Sequence, residues 1–171
     1  LELTGITKIY SNGVVANRNV SVSFRKGEIH SVVGENGAGK STLMKMIFGI
    51  EHPSAGKIVY KGKEIHFANS MEAIKSGIGM VHQHFMMIDD FTVAQNIVLG
   101  MEPLKNKIFL NKKESVRVTK ALAQRYNFDM DVTQQVGRLA VSAKQKVEIL
   151  KTLYRNAEVI ILDEPTAVLT P

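Results

Sequence analysis

The stretch Gly34-Glu35-Asn36-Gly37-Ala38-Gly39-Lys40-Ser41-Thr42 constrains this chain more than any other. It matches the spacing G-x-x-x-x-G-K-[ST]. Before it, Glu28 to Val33 reads as a buried strand ending in glycine. After it, Leu43, Met44, Ile47 and Phe48 recur at helical spacing and predict a helix from Lys40 to Phe48. Read without that context, the stretch is a Gly-rich turn capped by a serine. Between a strand and a helix it is a phosphate cradle. Glycines let the backbone curl so that successive N–H groups point at phosphate oxygens, and the helix adds its positive N-terminal end. Lys40 is placed to reach the β- and γ-phosphates of a nucleoside triphosphate, and Ser41 to put its hydroxyl on Mg²⁺.

Such a loop needs a carboxylate at the end of a buried strand to complete the metal site. Val159-Ile160-Ile161-Leu162 is a β-branched and leucine run of the kind covered on both faces, and Asp163-Glu164 follows it directly. Asp163 is expected to hold the metal through its water shell, and Glu164 to polarise the attacking water. Acidic residues after an apolar run are common in loops. The phosphate loop upstream is what gives this pair its meaning.

The rest of the chain falls into sheet first and helix later. Val20, Val22 and Phe24 alternate on one face before the turn Arg25-Lys26-Gly27. Two short strands, Ile58 to Tyr60 and Ile65 to Phe67, are joined at Gly62-Lys63, and a short helix near Met71 to Lys75 precedes a strand at Ile78 to Val81. Helices are expected over Val93 to Leu99, over Lys112 to Tyr126 with Val116, Leu122 and Tyr126 partly inward, and beyond Ser142, read as a cap before Val147, Leu150 and Leu153. No repeat, low-complexity tract or flexible linker is visible.

A length of 171 residues with 44% apolar content suits one domain with a sizeable core. No apolar run reaches the roughly 18 residues needed to span a bilayer, and the start Leu1-Glu2-Leu3 shows no signal-peptide pattern. With no cysteine in the chain, a reducing, cytoplasmic setting is expected. Basic side chains outnumber acidic ones by 22 to 16, which admits nucleic acid, anionic lipid or a polyphosphate as partner. Much of the excess sits in Lys105, Lys107, Lys112, Lys113, Arg117 and Lys120, which read more simply as a solvated loop and helix face.

Taken with these motifs, the chain resembles the nucleotide-binding domain of ABC transporters over essentially its whole length. The resemblance makes Tyr10 the aromatic that stacks on adenine. It makes Gln83, in Met80-Val81-His82-Gln83-His84-Phe85, the Q-loop residue that serves metal and catalysis, and it accounts for Pro165-Thr166 after Glu164. The phrases Met80 to Met86, Val93 to Gly100 and Val147 to Leu150 are similar to ATPases of sugar and nucleoside importers, whose polypeptides carry two such domains, this one resembling the N-terminal copy. The fold implied is α/β: a three-layer P-loop core, an antiparallel β subdomain and a helical subdomain at about 92–157, all within a partial domain over 1–171 that is cut short at its C-terminal end.

Two departures from the family pattern stand out. The signature loop, Leu-Ser-Gly-Gly-Gln or a relative of it, corresponds to Leu139-Ala140-Val141-Ser142-Ala143-Lys144-Gln145. Ala140 lacks the hydroxyl that would bond the γ-phosphate, and Ser142 places a side chain where glycine permits close approach. Thr170, in Ala167-Val168-Leu169-Thr170, stands where many relatives have an aspartate, and the family's γ-phosphate histidine falls beyond Pro171.

Some residues invite other readings. His82 and His84 would share a strand face, but without cysteine or a third ligand nearby they flank the Q-loop passively. Met80, Met86 and Met87 read as core or partner-facing packing. Tyr10 alone is also compatible with plain sheet packing, the lesser of the two readings.

The expected function is ATP binding and hydrolysis, with Mg²⁺, powering import of a sugar or nucleoside from the cytoplasmic face of the membrane. The implied partners are transmembrane permease subunits, a second ABC domain in the same polypeptide and, indirectly, a solute-binding protein, with no nucleic acid. Two alternatives stay open: a soluble ABC-type ATPase acting on ribosomes or nucleic acid, and a regulatory module that binds nucleotide without hydrolysing it.

Overall fold

Alternating apolar residues near the N-terminus build an antiparallel sheet. Strands β1 (Glu2–Ile9), β2 (Val15–Ser23), β3 (Ala55–Tyr60) and β4 (Lys63–Ile65) lie in the order β2-β1-β3-β4. Leu3, Ile6, Ile58 and Tyr60 are buried on it, and Val20, Val22 and Phe24 are half-buried between exposed Asn19, Ser21 and Ser23, as alternation predicts. Helix α1 (Lys40–Ile47) buries Leu43, Met46 and Ile47. Helix α2 (Ser70–Lys75) is capped by Asn69, whose side-chain oxygen accepts from the Glu72 N–H at 3.2 Å. The computed structural model describes residues 1–82, 85–106 and 108–164. It divides into two compact units, Leu1–Ser76 and Gly77–Pro171.

In the second unit β5 (Ile78–Val81) pairs in parallel with β8 (Val159–Leu162), in register from Ile78 opposite Val159 to Val81 opposite Leu162. A parallel pair needs a long crossover. Here the crossover contains α3 (Val93–Val98), the small hairpin β6 (Leu104–Lys105) and β7 (Phe109–Leu110), α4 (Lys112–Arg125), a 3₁₀ turn over Val136–Arg138 and α5 (Val141–Tyr154). Val93, Ala94, Ile97, Ala123, Val147 and Leu150 form its buried apolar cluster. Thr92 opens α3 with a capping box, accepting from the Gln95 N–H at 3.2 Å while the Gln95 side chain accepts from Thr92 N at 2.8 Å. Gly79 is glycine because α5 runs close over β5: a Cβ there would collide with the Thr152 side chain.

Four expectations from sequence are corrected. Glu28 to Val33 forms no strand; Ile29 is 100% exposed and Val33 90% exposed. A strand buried on both faces exists only where neighbours satisfy its edges and cover it. In the described residues this segment has local contacts instead, His30 with the Glu28 carboxylate at 2.8 Å and the Phe24 ring edge-on to His30. Next, β8 is covered on one face rather than two: Ile161 is buried, whereas Ile160 and Leu162 are exposed. Finally, Ser142 does not cap its helix. Ala140 occupies the cap position, its carbonyl accepting from the N–H groups of Ala143 and Lys144, so Ser142 falls inside the first turn. The β4 strand also lies two residues earlier than Ile65 to Phe67 suggested.

Candidate nucleotide-binding site

The loop before α1 has the backbone that its glycines were expected to permit. Gly37 and Gly39 both adopt left-handed conformations, at φ 82° and 88°. A Cβ on Gly39 would run into the Ala16 carbonyl oxygen and crowd Asn17, so the loop closes tightly onto β2 at this point. Lys40 Nζ folds back over the loop and donates to the carbonyls of Gly34 at 2.8 Å and Glu35 at 2.9 Å. The ammonium is therefore held over the loop by neutral acceptors that an anionic ligand would outcompete. Residues 34–38 are exposed, whereas Ser41 and Thr42, in the first turn of α1, are half-buried. No side chain caps this helix, whose N-terminal end is an electropositive terminus.

Tyr10 belongs to the same unit. It sits in the turn after β1, where its N–H donates to Val14 and its carbonyl accepts from Gly13, both at 2.9 Å. Its hydroxyl lies 3.5 Å from Thr42 Oγ1, and Lys8 Nζ stands 5.1 Å from the ring centre. The aromatic and the helix carrying Lys40, Ser41 and Thr42 thus meet. Sequence reasoning missed Asn17, buried on β2, whose Nδ2 donates to the Gly39 carbonyl at 3.3 Å; its Oδ1 has no partner among the described residues. An asparagine in an exposed-looking strand carries no sequence signal for that task.

The acidic pair belongs to the second unit. Asp163 N donates to the Val81 carbonyl at 3.1 Å, extending the β5–β8 ladder by one residue and fixing where the half-buried Asp163 leaves it. Glu164 is exposed and adopts φ 49°. Left-handed backbone at a non-glycine residue costs about 1–2 kcal/mol and collects at functional sites. Gln83, His84, Lys107, and Pro165, Thr166, Ala167, Val168, Leu169, Thr170 and Pro171 lie outside the described residues. The signature-like loop is described: Ala140, Val141 and Ser142 are exposed at the start of α5, and no side chain caps that helix.

Two polar features of the second unit were also missed. Asn96, fully buried on α3, accepts from the Ile88 N–H at 2.9 Å and donates to the Ile88 carbonyl at 3.0 Å. Glu148 and Lys151 are buried on α5, 3.9 Å apart. Burial raises the Glu148 carboxyl above the usual carboxylate range, with Lys151 pulling against it, and burial likewise lowers the Lys151 ammonium. The only hint in sequence was a polar residue interrupting each apolar helix pattern.

A glycine-cornered loop, a lysine closing over it and a serine in the first helical turn define a nucleotide-binding protein of the P-loop class. The family described as ABC transporter matches residues 17–167, and the chain belongs to that family. The chain is 46% identical to the guanosine import ATP-binding protein NupO of Bacillus subtilis, covering 100% of itself and 33% of that protein. It is 43% identical to the galactose/methyl galactoside import ATP-binding protein MglA of Escherichia coli, over 99% of itself and 33% of MglA. The chain thus spans about a third of the length of these curated relatives. Among solved structures, cbiO1 of Clostridium perfringens, described as part of the ABC transporter complex cbiONQ, superposes with a TM-score of 0.82 at 28% identity, covering 99% of this chain and 67% of cbiO1. The fold is the α/β fold of ATP-binding cassettes.

Proposed function

We propose that this chain is the ATP-binding and ATP-hydrolysing cassette of an importer for a sugar or nucleoside, working at the cytoplasmic face of the membrane. The observation that carries the reading is the Gly34–Thr42 loop with Lys40 poised over it, in a chain of the ABC family. The relatives' names, guanosine import and galactose import, support the two solute classes. No helix among the described residues is long and apolar enough to cross a membrane. The family and the relatives' names support transmembrane permease subunits as partners, with a solute-binding protein beyond them. The shared third of the relatives' length supports a second cassette in the same polypeptide, and the helices α3, α4 and α5 support a helical subdomain at about 92–157.

The loop N–H groups and Lys40 bind the phosphates, and Tyr10 stacks on the base. In this reading Ser41 and Asp163, with Gln83, would hold Mg²⁺: a hydroxyl and a carboxylate have the chemistry for an ion that takes most of its ligands from phosphate and water. Bound there, Mg²⁺ would neutralise charge developing on the β- and γ-oxygens. Glu164 orients the attacking water, and Lys40 follows the negative charge onto the transferred group.

A ribosome- or nucleic-acid-directed ATPase finds less support. Lys112, Lys113, Arg117 and Lys120 are exposed on α4, but Arg117 is already engaged bidentately with Glu114 at 2.6 and 2.7 Å, as on an ordinary solvated helix. The deciding experiment measures phosphate release from ATP by the full-length polypeptide, with Mg²⁺ and then with excess EDTA. Turnover that EDTA stops is expected; tight ATP binding without any phosphate release would establish the regulatory alternative instead.

Tyr10→Ala should weaken ATP binding by about 1–3 kcal/mol, the range for aromatic stacking on a base. Pyrophosphate, which has no base, should bind as before. Calorimetry with both ligands checks this, and equal losses for the two would show that Tyr10 serves the fold.

A further inference from the structure

Helix α5 carries two different faces. Val147 and Leu150 lie in the apolar cluster, and Tyr154 packs against it. Lys144, Glu148, Lys151 and Arg155 follow one another at spacings of four, three and four along the helix, which places them on a single side. All four reach the segment that follows β5. Lys144 Nζ meets Asp89 Oδ1 at 3.1 Å, and the Arg155 guanidinium donates to the Leu99 carbonyl at 3.0 Å. Between them, Glu148 Oε1 accepts from Met86 N at 3.0 Å and Lys151 Nζ donates to the Met86 carbonyl at 2.8 Å.

The central two members are the buried ones, with Glu148 5% and Lys151 9% exposed. Removing two opposite charges from water costs more than their attraction commonly returns, and apolar residues of similar volume would stabilise the helix as well. An apolar pair cannot, however, grip an N–H and a C=O together. Both backbone polar groups of one residue are held here, while the Met86 side chain stays 63% exposed. The grip is on the main chain and not on the side chain.

We propose that Glu148 and Lys151 are positioning residues for ATP turnover, fixing the backbone at Met86, three residues after Gln83, to the helix that begins at the signature-like loop. The inference rests on the hydrolytic reading above and on the role given there to Gln83. The Met86 backbone and the exposed turn at Ala140 to Ser142 are thereby both tied to α5. The pair acts by holding geometry and touches no substrate.

The test uses the full-length polypeptide and removes both charges together, so that neither is left buried without its partner. Glu148→Leu with Lys151→Met should keep the melting temperature near that of the parent and KM for ATP within about twofold. It should lower kcat on the order of tenfold, because a misplacement of about 1 Å far from the reacting atoms can cost about a hundredfold and a smaller shift costs less. In a Gln83→Ala background the same double change should cause no further loss, since both act on one geometry. Glu148→Gln with Lys151→Gln keeps an acceptor and a donor for Met86 without leaving a buried charge, and should recover most of the lost kcat. Amide exchange at Met86 should quicken in the Leu/Met variant and stay slow in the Gln/Gln variant. An unchanged kcat, or an equal fall with and without Gln83, overturns the proposal. If the Leu/Met variant does not fold, Glu148→Gln with Lys151→Met is measured in its place, and its kcat should lie below that of the rescue variant and the parent, with no further loss in the Gln83→Ala background. If the parent itself releases no phosphate, the hydrolytic reading fails, and Met86 exchange still decides whether the pair holds that backbone.

Discussion

Lys40→Ala should reduce ATP affinity by roughly a hundredfold or more. The ammonium is expected to exchange its present bonds to the Gly34 and Glu35 carbonyls for phosphate oxygens. Hydrogen bonds to charged partners contribute about 1.5–3 kcal/mol each, and two of them amount to roughly 3 kcal/mol or more, which is two decades in Kd. The free protein should barely notice the change, because those carbonyls lie in an exposed loop and water can replace the lysine. Pyrophosphate should lose as much affinity as ATP, the opposite of the Tyr10→Ala pattern. Calorimetry with both ligands, beside a melting curve, tests this. Unchanged ATP affinity in a folded Lys40→Ala protein would remove the basis for the phosphate-loop assignment.

The parts of the site that were legible in the sequence are those whose chemistry is local. Gly37 and Gly39 had to be glycine for a left-handed curl, and the fixed spacing to Lys40 and Ser41 follows from one turn of helix. Alternation at Val20, Val22 and Phe24 was equally local. What stayed hidden depends on distant partners. The run Glu28 to Val33 has the composition of a buried strand, yet composition cannot state whether a neighbour lies along each edge. Glu148 and Lys151 find Met86 from 62 and 65 residues away, a separation that no spacing rule covers. Ser142 was misread because serine is a favoured cap by propensity. The 3₁₀ turn over Val136–Arg138 delivers the chain into α5 earlier, at Ala140. The strand and the buried pair fail through tertiary context overriding a sound local preference, and Ser142 through a neighbouring turn that moves the helix start.

That early helix start bears on the largest expected effect at the level of the whole motor. In the head-to-tail pairing that the family resemblance implies, each ATP lies between one cassette's phosphate loop and the other's signature loop. In that pairing the loop Leu139 to Gln145 would complete the opposite site, while the proposed site that uses Lys40 and Glu164 would be completed by the other cassette. The opposite site would then receive the exposed turn of Ala140, Val141 and Ser142. The helix offers no hydroxyl at its cap, and Ser142 adds bulk where glycine would allow close approach. Losing one oriented donor to developing negative charge lowers a rate on the order of 10²–10³-fold, judging from oxyanion-hole donors. The two sites should then turn over at very different rates, with one ATP hydrolysed and the other held or cleaved slowly. The measurement is steady-state phosphate release by the full-length polypeptide, with Glu164 and the corresponding glutamate of the second cassette changed to glutamine separately. Glu164→Gln should remove nearly all turnover, because it disables the site whose signature partner lies elsewhere in the polypeptide. The matching change in the second cassette should remove little, because that site is already slowed by Ala140 and Ser142. Restoring serine and glycine with Ala140→Ser and Ser142→Gly should then raise the contribution of the slow site and make the second change costly. Equal losses from the two glutamine variants in the unrestored protein would show that the altered loop still supports hydrolysis, and the motor would have to be regarded as symmetric.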